Sequence, residues 1–321
     1  MKNKIVAIQG NNLKTINPKS DTSIFLANEI QKKKYKIFYY EPKDLSIINE
    51  KVIAYGNFIK INYSKNKFFK LIKRQKFELT KSKFILIRQD PPFNLEYINT
   101  TYILESIKSK VKIVNNPSSV RNISEKLYSI YFKKYMPNTI FSQNINDIKK
   151  FFLKNKTIIM KPIHGYGGNE IYLIKRKFNR SLIKKFIKKH GHAMFQKFLP
   201  NIKNGDKRVF IINGKICGAI SRIPKKGSFL SNMSKGALPT LTKLSKNEIK
   251  ISKLVALRLK RNNIYFSGID FIDQKLNGDI NVTSPTGLKT YYDLSKINLA
   301  KVFWKGLKSW IIYQINKKVR Y

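Results

Sequence analysis

Cysteine is almost missing from this chain. Its 321 residues include one cysteine, Cys217, which rules out an internal disulfide and a thiolate-built zinc cluster. A lone thiol points to a reducing compartment, so a cytoplasmic protein is expected. There are three histidines, and no Cys/His or Ser/His pair suggests a protein nucleophile. Long apolar runs are also lacking. None approaches the roughly 20 residues needed to cross a bilayer, and the apolar stretch at 4–8 is too short for a signal-peptide core, so it reads as a first strand. Acids are scarce as well: 18 Asp+Glu against 65 Lys+Arg give a formal charge of +47. Such a charge suits a nucleic-acid or membrane-surface binder. Yet the lysines are spread along every predicted element, and Lys, Asn, Ile, Phe and Tyr are abundant together. Compositional drift accounts for that pattern, with attraction of small anionic substrates as a side effect. No specific nucleic-acid partner and no membrane partner is expected.

What is present is enough for a folded core. Hydrophobic residues make up 42% and aromatics 12%, and the length implies two or three lobes. The chain opens with strand patterns at 5–9, 35–40, 84–88 and 111–115, interleaved with helices after Asp21 and at 95–109. That alternation argues an α/β unit with a parallel sheet. Asn116-Pro117 breaks the chain, and Ser118 or Ser119 would cap a helix running to Tyr131, with Glu125 in its early turns. A smaller unit follows, with strands at 139–142, 157–160 and 193–198 and a helix at 145–154. The last part is mostly hairpins: 209–212 and 215–220 flank Asn213-Gly214, a type I′ turn pair. A helix at 245–261 precedes strands at 266–272 and 279–283. Near the end, Trp304, Leu307, Ile311 and Ile315 share a helical face. The units expected are 1–120, 121–200 and 201–321, with cofactor clefts between them.

Four patches carry possible chemistry. In the first, an apolar strand ends at Lys161-Pro162, followed by Gly165, Gly167 and Gly168. Glycines here allow φ > 0 and let backbone N–H groups approach phosphate oxygens, to which Lys161 adds a charge. It is no Walker loop, because no Gly-Lys-Ser/Thr follows; an ordinary tight turn is the plain alternative, and His164 reads as a loop residue. The second patch is Gln196-Lys197-Phe198-Leu199 and then Asp206-Lys207-Arg208. Apolar residues there could sandwich a purine, Asp206 could accept from a ribose hydroxyl, and Arg208 could pair with an oxyanion; solvated turn charges would look the same. The third is Asp270, Asp279 and Asn281, oxygen donors of the kind Mg²⁺ prefers. Their convergence requires a loop at 274–277 that sets Asp270 opposite Asn281; a tight Asn277-Gly278 hairpin would leave them about 13 Å apart along the strand. The fourth pairs Arg88-Gln89-Asp90-Pro91-Pro92 with Arg222-Ile223-Pro224, where arginines could fork onto a substrate carboxylate or serve in structural ion pairs.

In that order the patches resemble the ATP-grasp ligases, and within them bacterial glutathione synthetases. The likeness runs along nearly the whole chain. It includes Arg88-Gln89-Asp90-Pro91-Pro92-Phe93, Asn116-Pro117, Glu125-Lys126-Leu127, the Lys161-Pro162 glycine loop, Gly205-Asp206-Lys207-Arg208 and Asn281-Val282-Thr283-Ser284-Pro285-Thr286. The resemblance implies an ATP-grasp fold preceded by an N-terminal Rossmann-like domain. It also implies an ATP-dependent condensation of γ-glutamylcysteine with glycine through an acylphosphate. Another ATP-grasp carboxylate–amine ligase is the alternative. It further implies ATP held by Lys126, Lys161, Gly165, Gly167, Gly168, Gln196, Lys197, Phe198, Leu199 and Asp206. Mg²⁺, or Mn²⁺ in its stead, would lie on Asp270, Asp279 and Asn281. Arg208 and Arg222 would neutralise the transferring phosphoryl, while Arg88, Asn232, Ser284 and Thr286 would touch substrate. Homo-oligomers are typical of such enzymes.

The chain departs from the family in places. Leu230-Ser231-Asn232 stands where Arg-Gly-Asn is usual, and Gly236-Ala237 where Gly-Gly is. Asp279 replaces a glutamate, with one extra residue in the preceding turn, and Gln89 and Ser124 replace Lys and Asn. From the metal assignment, Asp270→Ala should abolish turnover and leave the fold intact.

Overall fold

A computed structural model of the chain describes residues 4–63 and 68–318. β1 (Ile5–Gln9) leads through α1 (Thr22–Gln31) to β2 (Lys36–Tyr40). After β3 (Leu45–Ile48), β4 (Lys51–Ile61) and β5 (Phe69–Glu78), the alternation resumes with β6 (Phe84–Ile87), α2 (Leu95–Glu105), β7 (Lys112–Val114) and α3 (Pro117–Asn122). β2, β1, β6 and β7 lie side by side and parallel, as the alternation requires. They are buried on both faces, which is why they read as continuous apolar runs. Residues 45–78 add an antiparallel flank that sequence reading passed over, with β4 paired to β2, β3 and β5. The Asn49-Glu50 turn of its first hairpin contains no glycine, although both residues have positive φ. Most of β5 is exposed and lysine-rich, so no buried period marks it.

Side chains set the helix starts. Asp21 accepts from the Ile24 N–H to cap α1, and Asn94 caps α2 in the same way. The helix expected from Ser118 or Ser119 to Tyr131 is broken. Asn116 is its cap, Pro117 fills the first turn, and α3 ends at Asn122. Glu125 lies in the break because its carboxylate accepts from the Val282 and Thr283 N–H groups, at 2.8 and 3.0 Å. A continuing helix could not deliver it there.

The second unit holds β8 (Thr139–Ser142), α4 (Ile145–Asn155), β9 (Ile158–Pro162), β10 (Tyr172–Ile174), α5 (Arg180–His190) and β11 (Ala193–Lys197), with sheet order β10-β9-β11-β8. Ile148, Phe152, Ile183 and Phe186 of its helices pack on Ile158, Met160 and Phe195 of the sheet. The third unit holds β12 (Asp206–Ile212), β13 (Lys215–Ile223), β14 (Leu238–Leu241), α6 (Lys246–Arg261), β15 (Phe266–Ile272), β16 (Lys275–Asn281), α7 (Leu288–Ser295) and α8 (Leu299–Lys318). Its five strands are antiparallel in the order β14-β13-β12-β15-β16. Asn213 and Gly214 have φ of 51° and 71°, the type I′ turn expected. Ser245 and Glu248 close a capping box on α6.

The first and third units are tied together. The buried Asn115 amide donates to the Phe266 and Val282 carbonyls at 2.7 Å each and accepts from the Tyr265 and Phe266 N–H groups at 2.9 Å each. Trp304 of α8 donates to the Leu26 carbonyl of α1 at 2.9 Å. Trp304 and Leu307 are buried as expected; the side chains of Ile311 and Ile315 lie outside the described residues. No helix among the described residues is long and apolar enough to cross a membrane.

Candidate active site

The β15–β16 turn differs from both geometries considered for it. Asp273 and Gln274 form a two-residue turn with φ of 50° and 60°. Ile272 pairs with Lys275 and Gly268 with Asn281, so Asp270 does not face Asn281 directly. Three residues of β16, Asn277, Gly278 and Asp279, bulge opposite Asp270 alone. Asn277-Gly278 mimics a hairpin turn in sequence but forms this bulge. Gly278, at φ 85°, turns beneath Met194 and Met136 of the second unit. Even so, Asp270, Asp279 and Asn281 all line one cavity.

That cavity is about 950 Å³ and lies where the three units meet. Every residue assigned to ATP, metal, substrate or the transferring phosphoryl lines it: Arg88, Lys126, Lys161, Gly165, Gly167, Gly168, Gln196, Lys197, Phe198, Leu199, Asp206, Arg208, Arg222, Asn232, Asp270, Asp279, Asn281, Ser284 and Thr286. Leu230 lines it as well, whereas Ala237 is buried beside the same loop.

The cavity floor is a buried ion network on β12, β13 and β15. Arg208 forks onto Asp270 at 2.8 and 2.7 Å. Arg222 forks onto Asp206, with Nε at 2.7 Å, and reaches Asp270 at 3.0 Å. Burial alone would raise the Asp270 carboxyl, but the two guanidinium groups outweigh it and hold the group well below the usual carboxylate range. Arg222 is likewise held above its ordinary value: burial opposes the charge, and Asp206 and Asp270 restore it.

On the opposite wall Lys126 and Lys161 each come within 3.4 Å of Asp279. Burial would raise Asp279 too, yet Lys161 and then Lys126 pull it below its ordinary value. Lys161 also donates to the Asn277 carbonyl and side chain at 3.3 and 3.2 Å, so the extra turn residue has a place beside the strand-end lysine. Lys126 donates to the Gly165 carbonyl at 2.6 Å. Gly167 and Gly168 have φ of 62° and 75°, and the loop at 229–235 lies over them, with the Asn232 side chain against Gly168.

At the hinge after β11, the N–H groups of Lys197 and Phe198 are taken by the Asn138 and Thr157 carbonyls. The Leu199 N–H donates to none of the described residues. Phe198 meets Phe229 edge-on at 6.4 Å, forming an apolar slot beside it. Lys197 lines the cavity and is exposed to solvent.

Several cavity residues were missed in the sequence. Ser231, where the family usually has glycine, donates to Asp206 at 2.7 Å. Asn11, Asp21, Ser23 and Asp90 also line the cavity. In the sequence Asp21 only precedes a helix and Asp90 is only part of an Asp-Pro-Pro string, so neither carried a signal of its own. His164 stays a loop residue, stacked on Phe93 at 5.9 Å.

Comparison with known proteins places this architecture. The prokaryotic glutathione synthetase N-terminal domain matches residues 5–121, and the prokaryotic glutathione synthetase ATP-grasp domain matches residues 125–296. The glutathione synthetase of Bradyrhizobium diazoefficiens is 35% identical over 306 residues, covering 94% of this chain and 97% of the relative. That of Buchnera aphidicola is 36% identical over 302 residues, covering 92% and 93%. Among solved structures, D-alanyl-alanine synthetase A from Vibrio cholerae aligns with a TM-score of 0.61 at 14% identity over 97% of this chain and 99% of that one. An ATP-grasp ligase complexed with a phosphomimetic precursor variant, Mg and ADP aligns at 0.63 with 11% identity, again over 97% and 99%. At such identities these two speak for the fold alone. With both family domains matched in order across the chain and curated relatives aligned end to end, the protein belongs to the prokaryotic glutathione synthetase family of ATP-dependent, ATP-grasp ligases.

Proposed function

We propose that the cavity holds ATP and Mg²⁺ together and joins γ-glutamylcysteine to glycine. The observation that carries this reading is the grouping of two lysines, two arginines, three carboxylates and the Asn281 amide on one cavity wall and floor. Lys126, Lys161 and the glycine-loop N–H groups suit phosphate oxygens. The free Leu199 N–H and the Phe198–Phe229 slot suit the edge and face of a purine, and Asp206 lies toward the ribose. The donor set also suits a hard cation. Asn281 Nδ2 donates to the Gly268 carbonyl at 3.1 Å, which leaves its amide oxygen for a ligand, and Asp279 follows the same face of β16 two residues away. Asp270 keeps one lone pair beyond those taken by arginine. Bound there, Mg²⁺ would supply charge neutralisation at the phosphates; Mn²⁺ has the same preferences.

The chemistry needs no nucleophile from the chain. The carboxylate of the cysteinyl residue accepts the γ-phosphoryl group, ADP leaves, and the glycine amine displaces phosphate from the acylphosphate. Arg208 and Arg222 stand where charge builds up and are held in place by Asp206 and Asp270, so they need no rearrangement to act. Arg88, Asn232, Ser284 and Thr286 would touch the peptide substrate. The working units are 1–120, 121–200 and 201–321, with the middle unit moving as a lid. A homo-oligomer in the cytoplasm fits the lone cysteine and the family's habit. In a direct assay, purified protein releases phosphate only when ATP, γ-glutamylcysteine, glycine and Mg²⁺ are all present. Equal release with a different amine in place of glycine would sink the substrate assignment.

A further inference from the structure

β16 is the outermost strand of its sheet and ends at Asn281. In an antiparallel ladder alternate N–H groups point away from the neighbouring strand, so those of Ile280 and Val282, on either side of Asn281, face away from β15. One residue takes both. The Glu125 carbonyl accepts from the Ile280 N–H at 2.9 Å, and Glu125 Oε1 accepts from the Val282 N–H at 2.8 Å. The same oxygen takes the Thr283 N–H at 3.0 Å and the Thr283 hydroxyl at 2.8 Å. Glu125 thus acts as a one-residue strand that closes the sheet edge at Asn281.

On the inner side Asn281 Nδ2 is spent on the Gly268 carbonyl. Asn281 is therefore held from both edges of the strand, and its amide oxygen is left over. The residue after Glu125 is Lys126, which donates to the Gly165 carbonyl at 2.6 Å and lies 3.4 Å from Asp279. One dipeptide carries both the clamp on Asn281 and a lysine of the phosphate wall. A tie that served only to join the segment to the sheet could sit anywhere along β16; this one brackets the single residue whose side-chain oxygen faces a ligand.

We propose that Glu125 is a positioning residue for the metal: through the backbone on both sides of Asn281 it fixes that amide oxygen relative to Lys126, so that Mg²⁺ and the triphosphate are met in one register. The inference rests on the ATP and Mg²⁺ reading given above and requires no contact of Glu125 with either. What the arrangement asks of Glu125 is reach. A glutamine oxygen arrives at the same two N–H groups without the charge, whereas an aspartate ends one methylene short of them.

The test separates reach from charge. Glu125→Gln keeps the length, Glu125→Asp keeps the charge, and Glu125→Ala keeps neither. Each is assayed for the Mg²⁺ concentration that gives half-maximal turnover at saturating ATP, and for Mn²⁺ binding by EPR with a non-hydrolysable ATP analogue, alongside Tm. The Asp and Ala variants need about ten- to hundredfold more Mg²⁺, the usual scale for removing a group that orients a metal ligand, while KM for γ-glutamylcysteine and for glycine holds. The Gln variant stays close to wild type. A Gln variant impaired as far as the Asp one overturns the inference, because charge and not reach is then the cause. Asp and Ala variants that melt lower but keep the wild-type Mg²⁺ requirement overturn it as well, since the contact is then a fold tie alone. If the Ala variant does not fold, the Gln and Asp pair still decides. A wild type whose turnover is indifferent to Mg²⁺ sinks instead the metal reading.

Discussion

Asp270 is where the structure changes what a mutation should do. From sequence, Asp270→Ala removes a metal ligand and spares the fold. In the structure the Asp270 carboxylate, 4% exposed, takes two bonds from Arg208 and one from Arg222. Removing it strands two buried guanidinium groups with Asp206 as their remaining acid. Breaking a buried pair from one side costs about 3–5 kcal/mol. Unfolding entropy near 2.1 cal/mol/K per residue comes to roughly 0.7 kcal/mol/K for a chain of this length, so Tm should fall by about 4–8 °C. Turnover should fall by at least about a hundredfold, the scale of losing one preorganised electrostatic contact in a transition state.

The assay is differential scanning fluorimetry of wild type, Asp270→Ala and Asp270→Asn, each alone, with a non-hydrolysable ATP analogue, and with that analogue plus Mg²⁺. A ligand at a hundred times its Kd adds about 2.7 kcal/mol, or about 4 °C here. In wild type Mg²⁺ should enlarge that shift; in the variants it should not. The pH dependence has a definite sign. The folded pKa of Asp270 is depressed, so its stabilisation is present above the unfolded value of about 3.9 and is lost as pH falls through the folded one. The Tm gap should therefore hold from pH 5 to 9 and close only in strong acid. An Asp270→Ala protein that melts with wild type would refute the pairing argument, and one that keeps its Mg²⁺ response would remove Asp270 from the metal site.

Three more outcomes follow from the geometry. Lys161→Ala should raise KM for ATP about tenfold or more by removing a phosphate charge, checked by initial rates at varied ATP; an unchanged KM would displace Lys161 from the phosphates. Gly168→Ala should lower kcat sharply, because at φ 75° a Cβ would strike the Asn232 side-chain oxygen and lift the overlying loop, and the left-handed strain should cost about 1–2 kcal/mol in urea unfolding. Asn115→Ala should cost about 2–4 kcal/mol, since four hydrogen bonds between β7, β15 and the end of β16 are lost together; a loss under 1 kcal/mol would show that water replaces the amide.

How much was legible depended on whether a signal was local. The parallel core strands showed as apolar runs because both of their faces are buried, and Asn213-Gly214 showed as a turn because glycine tolerates its φ. Asp273-Gln274 carries positive φ without glycine, while the glycine nearby at 278 serves a bulge under Met194; neither the loop expected at 274–277 nor the alternative Asn277-Gly278 hairpin could therefore be told from the true turn by composition. Glu125 was assigned to a helix because the partners that pull it out, Val282 and Thr283, are 157 and 158 residues away. β3 to β5 escaped because β5 is an exposed lysine-bearing edge with no buried face to impose a period. The site residues were found through strings whose order matched a family. Asp90 and Ser231 stood inside such strings without a role of their own, and Asp21 stood outside them, because each has a commonplace local reading and meets the other groups only across the cavity.

The charge distribution ties these findings together. Six of the 18 acids line the cavity (Asp21, Asp90, Glu125, Asp206, Asp270 and Asp279), beside seven of the 65 basic residues. The cavity is thus close to charge balance, while the remaining 58 basic residues face only 12 acids. A lysine excess from compositional drift would spread evenly and would not spare one concave surface. Drift therefore accounts for the outside of the molecule and not the inside, where Asp206, Asp270 and Asp279 are each paired with an arginine or lysine. The outer excess acts on anionic substrates only within a Debye length, about 8 Å at physiological salt. Selection inside the cavity must therefore come from paired groups at contact distance.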